Sequence, residues 1–168
     1  ASYDDNGKPL LSWRVHILPY IDAEGLYKQF KLDEPWDSPH NKRLIPLMPG
    51  TLVNPNLPPG SVTNYLAVIG PDSVFSKTGI KIQRITDGTS NSMMLVEANA
   101  ERAVPWTKPV DHEFTEKDPK AGLGGLRPGG FHMAMADGSV RFLAISVDPK
   151  TLRALITKSG NERIGDLP

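Results

Sequence analysis

A chain of 168 residues with 19 basic and 19 acidic side chains and no formal net charge lacks the basic stripe that nucleic acid or an anionic membrane surface would require. Its 39% apolar and 23% charged content excludes a disordered polymer, and the absence of cysteine excludes disulfides, thiolate nucleophiles and cysteine-bound zinc. The length predicts a single domain over 1–168, and 16 prolines with 15 glycines suit a loop-rich α+β fold.

The first forty-odd residues read as helical. Ser12 is placed to N-cap Trp13-Arg14-Val15-His16-Ile17-Leu18, in which Trp13, Ile17 and Leu18 fall on one face before Pro19 interrupts the pattern. Asp22 is placed to cap a second helix lined by Leu26, Tyr27 and Phe30. Ser38 followed by Pro39 predicts a third helix start, with Pro46 and Pro49 ending it. Residues 46–62 read as loop.

Asn64 to Ile69 is a strand candidate closed by Gly70-Pro71, and Ile80-Lys81-Ile82 alternates as a strand would. Two Asp-Gly pairs, Asp87-Gly88 and Asp137-Gly138, are each followed by Ser or Thr and a β-rich run. A tight hairpin turn needs positive φ, which Gly supplies without steric cost, so both pairs predict turns of an antiparallel sheet. The second is the clearer: Phe131, Met133 and Met135 share a face, and Val140 and Phe142 return on the partner strand. Residues 102–130 form a long excursion ending in glycines, and Asp148-Pro149 opens a final helix with Leu152, Leu155 and Ile156 at core spacing.

Several motifs in this order resemble a large bacterial family of unknown function. They are Ser12-Trp13-Arg14-Val15, Leu18-Pro19-Tyr20, Leu26-Tyr27, residues 33–41, Thr63-Asn64-Tyr65, residues 85–91, Val104-Pro105-Trp106-Thr107-Lys108-Pro109 and residues 136–142. The resemblance implies kinship with type IV pilins and the pseudopilins of type II secretion, whose members typically begin with a prepilin-type cleavage site and a hydrophobic helix. The family is also labelled a solute-binding type. By that resemblance the chain is a soluble, pilin-like head whose N-terminal hydrophobic helix is absent. Its full-length form would be anchored in the inner membrane and exposed in the periplasm or at the cell surface. It would be non-enzymatic, with protein subunits of a pilus or secretion assembly as partners. The family signature, His, nine residues, Asp-Gly, departs here: counting back across nine residues from Asp137 gives Arg127 in place of His.

Catalytic constellations are weak. The four histidines form no local metal-binding pair, and Asp37-Ser38-Pro39-His40 reads as a helix cap rather than a triad. Asp33, Glu34 and Asp37 resemble an acidic loop that takes part in calcium binding in major pseudopilins, and calcium is the one cofactor to consider; the alternative is a solvated acidic turn packed over Trp36. For an extracytoplasmic module binding a carbohydrate, peptide or ion, the contact candidates are Trp106, read as partly exposed in a charged loop, with Arg127 and Glu97.

Overall fold

The computed structural model describes residues 1–76 and 79–162, and it is mixed α+β. The chain divides into two compact units, residues 1–63 with 103–110 and residues 64–102 with 111–168.

The first unit is built of short turns of helix: α1 (Trp13–His16), α2 (Glu24–Tyr27) and tighter 3₁₀ turns at Leu18–Tyr20, Asn41–Leu47 and Gly50–Leu52. Ser12 caps α1 as expected, its Oγ accepting from Arg14 N–H. Asp22 does not cap α2: it sits at φ +57° and Ala23 holds the cap position. Ser38 Oγ accepts from Asn41 N–H at 3.1 Å and starts the third turn, but Pro46 lies inside that turn rather than ending it. Pro46 is the next-to-last residue of this seven-residue run, where its missing N–H forfeits one bond. Strand β1 (Val62–Thr63) pairs antiparallel with β4 (Val104–Pro105). The core is Leu11, Val15, Leu18, Phe30, Leu44, Leu52 and Trp106.

The second unit carries a five-stranded sheet in the order β5 (His112–Glu113), β2 (Tyr65–Ile69), β3 (Met93–Glu97), β6 (Gly130–Met135), β7 (Val140–Ala144). All neighbours are antiparallel except β2 and β5, which run parallel. Asp137-Gly138 makes the expected hairpin between β6 and β7: Gly138 has φ +85°, and Ser139 N–H and Oγ–H both donate to Asp137 Oδ1. Those bonds, the hydroxyl first, hold the Asp137 carboxyl below its usual pKa.

Asp87-Gly88 is also a turn, with φ +94° at the glycine, but not a hairpin, because Ile82–Arg84 on its upstream side is a 3₁₀ turn rather than a strand. The Asp87 carboxylate instead accepts from Gly160 and Asn161 N–H at 2.8 and 2.9 Å, tying down the chain beyond the last helix. That helix, α3 (Pro149–Ile156), is capped by Asp148 and buries Leu152, Leu155 and Ile156. Phe131, Met133, Met135 and Leu143 line the buried side of the hairpin. Val140 and Phe142 point the other way, on the face shared with His132 and Ala134, and are 66% and 46% exposed. No helix among the described residues is long and apolar enough to cross a membrane.

Candidate functional site

The second unit gathers its charged chemistry on the outer face of the sheet. Met93 pairs with Met135 and Val96 with Met133, yet they are three residues apart on β3 and two apart on β6. Side chains alternate strictly along a regular strand, so this mismatch is a β-bulge that reverses the phase of β3. Met93 and Val96 are both buried. Without the bulge Glu97 would share the core face with Met93; with it, Glu97 lies beside Tyr65 of β2 and His132 of β6. The result is a row across four strands: Tyr65, Glu97, His132, Phe142.

Glu97 is the centre of this row, and its side chain is only 2% exposed. Arg127 Nε donates to Oε1 and Oε2 at 3.0 and 2.8 Å. His132 approaches Oε2 through its backbone N–H at 3.3 Å and its Nδ1 at 3.2 Å. A buried carboxylate is costly unless paired and hydrogen-bonded, and this one is both. The hydrogen bond to Glu97 raises the Arg127 guanidinium pKa, and the carboxylate charge adds to it. Burial, then the Glu97 charge, raises the Tyr65 phenol. The His132 ring meets Phe142 edge-on, centroids 5.4 Å apart. Arg127 and His132 keep 31% and 40% of their side chains in solvent. Beside them, Tyr65, Leu95, Ala134 and Val140 border an apolar cleft of about 130 Å³. The cluster offers a paired carboxylate, a guanidinium and a part-exposed imidazole for ionic contacts and hydrogen bonds.

Of the residues expected to bind a ligand, the structure therefore joins Glu97 to Arg127. Trp106 is corrected. Rather than standing exposed, it is fully buried in the core of the first unit, its Nε1–H donating to the Ile45 carbonyl at 2.8 Å and its ring edge-on to Phe30. An indole closed off in this way has no surface to offer a ligand. Asp33, Glu34 and Asp37 do not converge either: among the described residues no group of three His, Asp or Glu side chains could hold a metal ion. Glu34 turns to Lys31 at 2.8 Å, and that bond, with one from Ser38, lowers its pKa. Asp87, Gly88, Asp137 and Gly138 are turn residues, as expected. His132 was missed, although its position opposite Phe142 follows from the hairpin register.

A family described as "Protein of unknown function (DUF1559)" matches residues 1–52 and 116–150, just over half of the chain. The chain belongs to that family. The segments matching DUF1559 contain Arg127 and His132, whereas Glu97 and Trp106 fall between them. No curated protein matches, and no solved structure does.

Proposed function

We propose that this DUF1559 chain is a pilin-like or pseudopilin-like head: non-enzymatic, extracytoplasmic, and working by contact with other protein subunits of a surface or secretion assembly. The observation that carries this reading is the edge strand β7, which holds Val140 and Phe142 out to solvent. Unpaired strand edges with apolar side chains are surfaces on which protein partners add. The motif order, which resembles a family with prepilin-type N-termini, supports the compartment and the anchor.

These 168 residues hold no cysteine, so an introduced one is the only thiol among them. Val140→Cys and Phe142→Cys are introduced into the complete native gene and expressed in the source cells under mild oxidation. The expected outcome is an envelope-located, prepilin-peptidase-processed protein that forms disulfide-linked multimers from these positions and not from the exposed control Tyr20→Cys. A gene with no upstream hydrophobic segment, or equal cross-linking from all three sites, would overturn the reading.

A second reading, an extracytoplasmic binding module, is favoured by one feature: Arg127 and His132 stay partly exposed around Glu97 beside the apolar cleft. It requires a ligand whose binding is lost in Arg127→Gln.

A further inference from the structure

Loops of the first unit border a separate, open concavity of about 350 Å³, a volume in the range of small-molecule sites. Its walls are the Trp36 indole and the rings of Pro9, Pro35 and Pro109, and its polar groups are Lys8, Asp37 and Lys108. The walls around Trp36, Pro35 and Pro109 are held from behind. Trp36 N–H donates to the Leu10 carbonyl at 2.9 Å. Asn41, fully buried, donates through Nδ2 to the carbonyls of Glu34 and Pro35. Arg14, fully buried, donates through Nη2 to the carbonyls of Lys108 and Val110 at 3.1 and 2.9 Å. The concavity is thus preformed, and a ligand entering it has little chain to order.

The lining selects a chemistry. Two ammonium groups face one carboxylate, which favours a negatively charged guest. Lys108 Nζ lies 5.6 Å from the centroid of the Trp36 ring, so an anion drawn to Lys108 is set beside an aromatic surface. Asp37 can accept from hydroxyl groups. The three prolines supply flat apolar walls and no N–H donors, and no strand borders the concavity, so an extended peptide would lack main-chain partners.

We infer that this concavity binds an acidic saccharide of the uronate type, its ring against Trp36, its carboxylate on Lys108 and Lys8, and its hydroxyls on Asp37. This does not rest on the assembly reading, and either can fail without the other.

The test is calorimetric titration of the 168-residue chain with trigalacturonate, galactotriose and triglutamate. Trigalacturonate is expected to bind saturably and to weaken with added salt. Lys108→Gln and Lys8→Gln should each weaken it about tenfold or more, as losing a hydrogen bond to a charged group does. Both variants leave the backbone carbonyls and the braces from Arg14 and Asn41 intact, so unfolding does not confound them; Trp36→Leu, checked by circular dichroism, should abolish binding. No saturable binding of trigalacturonate would overturn the inference. So would equal affinity for galactotriose or triglutamate, or indifference to both lysine substitutions.

Discussion

Arg14 Nε donates to the backbone carbonyl of Trp106 at 3.0 Å, joining residues 92 positions apart. With its further bonds to the Lys108 and Val110 carbonyls, this buried guanidinium fastens the 106–110 segment to α1. Ser12-Trp13-Arg14-Val15, inside a segment that matches the family, and Val104 to Pro109, outside it, are therefore halves of one brace. Arg14→Met removes the donors and strands the Trp106 and Val110 carbonyls, each worth about 1–3 kcal/mol when buried and unmet, while the Lys108 carbonyl keeps Val110 N–H at 2.9 Å. The expected loss is about 3 kcal/mol or more in urea unfolding. Arg14→Lys should recover less than half of it, since an ammonium lacks the planar fork. An unchanged midpoint for Arg14→Met would refute the brace.

Glu97 and Arg127 form the corresponding anchor of the second unit. Truncating the guanidinium leaves a carboxylate 2% exposed without its main partner, so Arg127→Ala should destabilise by about 2–4 kcal/mol. Glu97→Gln keeps the shape and removes the charge. A double-mutant cycle over the two positions should give a coupling of roughly 1–3 kcal/mol. Additive effects would show that the pair contributes nothing jointly.

The parts of this fold that were legible in the sequence are those decided locally. The Asp137-Gly138 hairpin, the Ser12 and Asp148 caps and the core spacing of α3 each depend on residues within a few positions of one another. Asp87-Gly88 carries the same turn chemistry but lacks a strand before it, so a turn signal alone overstated the hairpin. The outer-face site was legible in part: Glu97 and Arg127 were named together, whereas the face that joins them to His132 was not. A single extra residue at the β3 bulge decides which face Glu97 occupies, and no residue type there announces it. Trp106 was misplaced because Arg14 and Ile45, which bury its loop and satisfy its indole, lie far away in sequence.

His112 gives a pH signature. It is buried on β5, its Nδ1 has no hydrogen-bond partner among the described residues, and burial, helped by the Arg102 charge, lowers its pKa from 6.5 to about 4. The unfolded chain takes up a proton below pH 6.5 while the folded one resists it down to about pH 4. Stability is therefore full above pH 6.5 and falls as the pH drops through that window. Between pH 6.5 and 5 the loss from this residue should be about 2 kcal/mol. His112→Leu should remove that part of the slope while changing stability little at pH 7.5. Unfolding curves at pH 7.5, 6 and 5 read the difference; identical slopes for both proteins would count against a buried neutral imidazole.

Trp106 should behave as a core residue and not as a contact residue. Trp106→Phe keeps an aromatic ring against Phe30 but loses the indole bond to the Ile45 carbonyl and part of the filled volume. The expected cost is about 2–3 kcal/mol, from a stranded carbonyl and a cavity together. In the native protein its fluorescence should resist acrylamide, whereas Trp36, only half-buried, should be quenched.

Two glycines of one hairpin should respond very differently to alanine. At Gly130 an added Cβ would lie 2.1 Å from the Leu143 carbonyl oxygen and within 3 Å of the Phe142 ring. The β6–β7 pair cannot close over that methyl without parting, because the blocking atom is backbone of the partner strand. At Gly138 the same Cβ meets nothing within 4 Å, and only the positive φ of +85° opposes it. Gly138→Ala should therefore cost about 1–2 kcal/mol and leave the fold intact. Gly130→Ala should cost about 3 kcal/mol or more and expose the outer-face residues that β7 helps to order. Thermal unfolding of the two variants side by side decides the point: equal shifts would mean that β6 and β7 do not approach as closely as the Gly130 contact requires.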